Sequence, residues 1–208
     1  MKDKPAEQKI FELTALGKLF SQTWPDFRCY VACLLAAYTG MRIGEVRGLL
    51  IKDLHLDEKY LDVVSNYQDE EGIKIPKWAS DRVGVSLPQP LIAALTKLLS
   101  LHRWGAKPDN FVFFSVESPD RPVNKHSIGM ALKRACKAAE ISHLTFHAFR
   151  HSFSSHVGYT LSPAALRKIV GHSNAKTTER YEHPTERDRK ALQDAQADMK
   201  ILPFKKAE

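Results

Sequence analysis

Residues 27–50 read FRCYVACLLAAYTGMRIGEVRGLL, and this stretch decides the architecture. Phe27, Tyr30, Val31, Leu34, Leu35 and Tyr38 recur at intervals of three and four residues, the spacing of a helix with a broad apolar face. Gly40 stands where such a helix must end, because glycine alone enters the left-handed C′ conformation without steric cost. A second, shorter helix over about 43–50 turns Val46, Leu49 and Leu50 inward. Arg42 therefore falls at a helix–helix junction and not on an open helical face. A junction fixes the direction of a long side chain better than a free surface does.

Outward from this pair the pattern is mostly helical. FELTALGKLFSQ carries Leu13, Leu16, Leu19 and Phe20 at helical spacing, and residues 1–10 ahead of it are polar and expected to fray. Between about 54 and 87 the helical period disappears. LDVVS, IKIP and RVGVSL, separated by NYQDEEG and KWASD, predict a small antiparallel sheet. Pro88 and Pro90 introduce another amphipathic helix through Leu91, Ile92, Leu95, Leu98 and Leu99, and FVFF reads as a short buried segment. Asn124 caps a helix whose inner face is Ile128, Ala131, Leu132, Ala135, Cys136 and Ala139. Helices then run to about Met199, broken near Gly158–Pro163, Gly171 and Pro184. The expected class is α+β, mostly helical with a small antiparallel sheet on one side.

With 208 residues, 43% of them apolar and 26% charged, the chain has ordinary globular composition. Its net charge of +7 is unevenly placed, since residues 121–190 hold 13 Lys/Arg against 5 Asp/Glu and the remainder sums to −1. Such a concentration suits a polyanion, with a solvated basic surface as the bland alternative. The three cysteines are an odd number, and Cys29 and Cys33 lie inside an apolar helical pattern, so they read as core thiols. No apolar run approaches the ~18 residues of a membrane span, and MKDKPAEQKI lacks the apolar core of a signal peptide. A reducing, cytoplasmic setting is the expectation.

The chemistry-bearing residues lie in separated stretches. In TFHAFRHSFSSH, His147 and Arg150 are three apart and share one helical face, while Phe146, Phe149 and Phe153 anchor the helix. Singly this is a common surface or interhelix pair. His147 and His151, four apart, also raise a metal site, but Ala148 stands where a catalytic HExxH helix needs its glutamate and no cysteine lies nearby. Farther on, GHSNAKTTERY places Tyr181 nine residues after His172 through a polar, Thr-rich stretch. A lone tyrosine there is more often a packing residue than a nucleophile.

In combination, these ordered motifs resemble the catalytic domain of the tyrosine recombinases, the phage integrase family, from about Phe11 to about Gln196. TGMRIGEV is a close match to the family's TG-x-R-x-x-E block. The resemblance implies Arg42 as the first catalytic arginine and Glu45 as the acid that braces it. It implies His147 and Arg150 as the second box, with Phe149 where leucine is common, His172 as the later His/Trp position and Tyr181 as the nucleophile. The family's lysine sits on a turn between strands, a few residues before an arginine that opens the next strand; Lys77 fits by its spacing to Arg82, with Lys74 as the rival. The implied activity is site-specific DNA strand exchange through a 3′-phosphotyrosyl intermediate, with no cofactor or metal. The implied partners are double-stranded DNA and further copies of the chain, assembled as a tetramer on DNA. Type IB topoisomerase-like relaxation and a non-catalytic DNA-binding protein are the competing readings. The domain organisation expected is a flexible segment over 1–10, the catalytic domain over 11–183 and a C-terminal helix and tail over 184–208. Only 41 residues precede Arg42, so the family's N-terminal core-binding domain is expected to be absent from this chain.

Overall fold

The computed structural model describes residues 11–74, 82–161, 186–199 and 201, with the backbone alone for 82, 83 and 186–189. The long helix anticipated from the sequence is α2, Phe27–Thr39, preceded by α1, Leu13–Phe20. Every residue of α2 from Cys29 to Thr39 is buried. A helix apolar all round has no solvent face to spare, and α2 is accordingly surrounded by α4, Gln89–Ser100, α5, Lys125–Ala138, and α6, His147–Val157. Each large side chain buried there contributes about 1.5–3 kcal/mol. Asp26 caps α2 by accepting the Arg28 N–H, and Gly40 closes it at φ 65° with its N–H returned to Ala36 O.

α3, Ile43–Gly48, follows immediately and packs on a strand that the sequence pattern did not reveal. The sheet region forms two units. β1, Leu54–His55, β2, Tyr60–Val63, and β5, Arg82–Ser86, make a three-stranded antiparallel sheet in the order β1-β2-β5. β3, Asn66–Gln68, and β4, Gly72–Lys74, form a separate antiparallel hairpin, with Asn66 opposite Lys74 and Tyr67 opposite Ile73. The expectation of one sheet missed β3 because Asn66, Tyr67 and Gln68 carry no apolar alternation. This strand is fixed by its fit to α3, where a Cβ on Gly44 would lie 1.9 Å from Asn66 Oδ1 and one on Gly48 would lie 2.9 Å from Tyr67 N.

The predicted inner face of α5 is buried throughout, and Asn124 Oδ1 accepts the His126 N–H at 2.7 Å to cap it. FVFF is the buried segment expected, bridged at Phe111 to Leu50 and at Phe114 to Pro122. Phe11, the first described residue, is held on α6: its N–H donates to Ser152 Oγ at 2.6 Å, and the Phe11 and Phe149 rings stack at 4.8 Å. At the other end, α7, Glu186–Asp198, lays Leu192 and Ala195 against Phe153, Val157 and Leu161. The buried Gln196 amide donates to Tyr38 O at 2.9 Å and Ser86 O at 3.0 Å, so α7 is tied to both α2 and β5. All three cysteines are free and buried, and burial pushes the Cys29 thiol up to about 12, as core thiols require.

Candidate active site

Gly40 is where the site begins. Its positive φ lets the chain leave α2 sharply, and its missing side chain lets α6 approach so closely that a Cβ would sit 2.6 Å from Phe153 Cδ1. Its carbonyl accepts a 2.9 Å hydrogen bond from Arg150 Nη1 on α6. Two residues later Arg42 opens α3. One glycine thus joins the end of α2, the start of α3 and the face of α6, and the two arginines of the sequence motifs meet across it.

Arg42 is the N-cap residue of α3 in extended conformation. Glu45, one turn on, accepts the Arg42 backbone N–H at 2.8 Å with one carboxylate oxygen and Arg42 Nη1 at 2.7 Å with the other. The Glu45 side chain is 11% exposed and that of Arg42 43% exposed. A buried carboxylate beside the helix N-terminus therefore holds one edge of a partly exposed guanidinium. The brace implied by the family resemblance has this geometry.

Arg150 is buried, with only 5% of its surface accessible. A guanidinium in that setting must have its donors met, and the Gly40 carbonyl meets one of them. His147, at the first turn of the same helix, is exposed and stands edge-to-face with His151 at 4.5 Å between ring centroids. Its pKa lies below the usual imidazole range because of partial burial and then the positive charge of His151, Arg150 and Arg42. Both arginines act on one imidazole, so all three groups share a patch. The consequence is a neutral ring, able to accept a proton, beside two permanent cations.

Lys77, His172 and Tyr181 lie outside the described residues. Lys74, the rival lysine, ends β4 and makes an ion pair with Glu71 across the hairpin turn. Among the described residues no cluster of three or more His, Cys, Asp or Glu could hold a metal ion. No helix among them is long and apolar enough to cross a membrane. What sequence reasoning missed is Arg47. It is 3% exposed and bonded through every face of its guanidinium, yet its partners Asp69 and Val123 are 22 and 76 residues away, beyond the reach of any local pattern.

Fold and site together define a mostly helical domain with a small sheet, in which two arginines and a histidine gather where α2, α3 and α6 meet. The chain belongs to the phage integrase family, which it matches over residues 12–188. It is 32% identical over 177 residues to a putative prophage phiRv2 integrase of Mycobacterium tuberculosis, covering 81% of this chain and 46% of that protein. It is 30% identical over 151 residues to tyrosine recombinase XerD of Halalkalibacterium halodurans, covering 71% of this chain and 46% of the relative. The chain thus spans about half the length of these curated relatives. Among solved structures, an integrase from mycobacterium phage Brujita superposes with a TM-score of 0.70 at 14% identity, over 100% of this chain and 63% of that one. The Tn1549 transposon integrase bound to circular intermediate DNA gives 0.68 at 24% identity, over 93% of this chain and 69% of that one. At these identities the structures establish the likeness of fold.

Proposed function

We propose that this chain is the catalytic part of a site-specific recombinase that cleaves and rejoins double-stranded DNA through a covalent bond to Tyr181. The observation that carries the reading is the convergence of Arg42, Arg150 and His147 at the α2–α3–α6 junction, with Arg42 held by Glu45 and Arg150 by the Gly40 carbonyl. Forked guanidiniums suit the non-bridging oxygens of a phosphodiester and favour the added charge of a pentacoordinate transition state. A preorganised donor of this kind is worth about 2.7–4 kcal/mol.

The Tyr181 Oη attacks phosphorus, its proton passes to neutral His147, the P–O5′ bond breaks, and Lys77 protonates the departing O5′. His172 adds a hydrogen bond to the phosphate. A 3′-phosphotyrosyl link and a free 5′ hydroxyl result, and reversal by another 5′ hydroxyl rejoins the strand with no cofactor. The ion pair that engages Lys74 with Glu71 supports Lys77 in the acid's role. Binding to the duplex is supported by α5, whose Lys125, Lys133, Arg134 and Lys137 are exposed and which contains no acidic residue. Strand exchange between two duplexes requires four such active sites, hence a tetramer on DNA.

The test is a duplex nicked close to the cleavage site, so that the released fragment diffuses away and the adduct accumulates. The unaltered chain should become covalently linked to the 3′ end, Tyr181→Phe should give no adduct, and Arg42→Ala should slow adduct formation by ~10²–10³-fold. Adduct undiminished in Tyr181→Phe would overturn the assignment.

A further inference from the structure

Arg47 has no part in the chemistry just described, yet it is buried and each of its three guanidinium nitrogens is bonded. Its Nε donates to Val123 O at 3.0 Å, in the turn before α5. Its Nη1 and Nη2 donate to the two carboxylate oxygens of Asp69 at 3.1 and 2.5 Å. Its plane lies 4.9 Å from the centre of the Tyr67 ring, which packs edge-on against Phe111 at 5.6 Å. Asp69, at the turn of the β3–β4 hairpin, is itself 63% exposed, and the Arg47 guanidinium holds its carboxyl below the usual carboxylate range.

The clamp joins a longer chain of fixed contacts. Gly44 and Gly48 let the backbone of Asn66 and Tyr67 lie against α3, and Ser65 Oγ donates to Gly48 O at 2.6 Å. Asn66 pairs with Lys74 across the hairpin. The short helix that Arg42 caps thus holds the hairpin to which β4 belongs, and two residues, Ile75 and Pro76, lie between Lys74 and Lys77 in the chain.

We infer that Arg47 is a positioning residue for proton donation: its clamp on Asp69 and Val123 fixes the β3–β4 hairpin relative to Arg42, and with it the strand that leads to Lys77. The inference rests on the reading of Lys77 as the acid. A lysine in place of Arg47 cannot serve, because one ammonium lacks the planar fork that grips a carboxylate on one side and a carbonyl on another.

The experiment replaces the bridging O5′ of the scissile phosphate by sulfur. In both substrates the Tyr181 Oη–P bond forms; with oxygen the P–O5′ bond breaks and O5′ takes a proton from the lysine, whereas with sulfur the P–S5′ bond breaks and the thiolate leaves unprotonated, since thiols ionise near pH ~8.5. Arg47→Lys and Asp69→Ala are compared with Lys77→Ala and the unaltered chain, by the rate of covalent adduct on each substrate. Asp69→Ala leaves Arg47 itself in place and bonded to Val123 O, and denaturant unfolding of both clamp variants separates a lost clamp from a lost fold. We expect Lys77→Ala to lose ~10²-fold or more on oxygen, and Arg47→Lys and Asp69→Ala about 10-fold, with all three within ~2-fold of the unaltered chain on sulfur. If the two clamp variants slow both substrates equally, or neither, while Lys77→Ala behaves as stated, Arg47 is structural and the inference falls. If Lys77→Ala is not rescued by sulfur, or the unaltered chain forms no adduct on either substrate, the functional reading falls first and takes the inference with it.

Discussion

Glu45 does two things with one carboxylate, and they separate by substitution. It accepts the Arg42 N–H, closing the first turn of α3, and it aims the Arg42 guanidinium. Glu45→Ala removes both and should lower stability by about 1.5–3 kcal/mol, the worth of a hydrogen bond to a charged group. It should slow adduct formation by more than ~10-fold, because an arginine that must be ordered in the transition state loses its preorganisation. Glu45→Gln keeps an acceptor for the backbone, so denaturant unfolding should be nearly unchanged while the rate still falls. His147 gives a second residue-scale expectation. Its pKa is lowered, so the folded protein disfavours the protonated ring, and stability is lost as the pH falls below ~6.5 toward the folded value. In the proposed mechanism the neutral ring is the base, and the acid limb of the pH–rate profile should therefore lie below pH ~6.5. His151→Gln removes one nearby positive charge and should move that limb upward, though not fully, because partial burial is the larger cause and remains.

At the scale of elements, Gly40 shows how a local signal and a tertiary one coincide. The sequence placed glycine at the end of α2 for its φ of 65°, and α6 uses the same absent side chain to approach within van der Waals distance. Gly40→Ala should lose about 1–2 kcal/mol to the left-handed backbone and a further ~1–3 kcal/mol to overlap with Phe153. Adding Phe153→Leu should recover part of the second loss and none of the first, a coupling that a double-mutant cycle in denaturant unfolding reads directly. The elements legible in advance share this local determination. α2, α4 and α5 carry their periodicity, caps and terminators within a dozen residues. β3 was not legible, because what holds Asn66–Gln68 extended is a groove made by Gly44 and Gly48 some twenty residues earlier. Arg47 was illegible for a related reason: beside Val46 and Leu49 an arginine reads as a solvated position, and only Asp69 and Val123 make it buriable. Arg42, His147 and Arg150, in contrast, were singled out by the resemblance of their short motifs to a known family, and it is the fold that brings the elements carrying them to one junction.

At the scale of the whole molecule, the C-terminal helix packs on the domain of its own chain. Within the single chain α7 is docked: Leu192 is 1% exposed against Phe153, Val157 and Leu161, Met199 and Ile201 are buried, and Gln196 bridges Tyr38 and Ser86. Tyr38 Oη also donates to Ile201 O at 3.2 Å. α7 thus packs on α6 through Phe153 and Val157 and on α2 through the Tyr38 carbonyl. Leu192→Ala should destabilise the chain by about 2–5 kcal/mol, the range for a buried leucine that leaves a cavity. For a chain of this size that corresponds to a fall in Tm of roughly 5–15 °C. Docking within one chain makes the fall independent of protein concentration, since no association step contributes to folding. Thermal unfolding of the unaltered and Leu192→Ala chains across a hundredfold range of concentration checks this, and a Tm that rises with concentration in the unaltered chain alone would place the helix on a neighbouring copy instead.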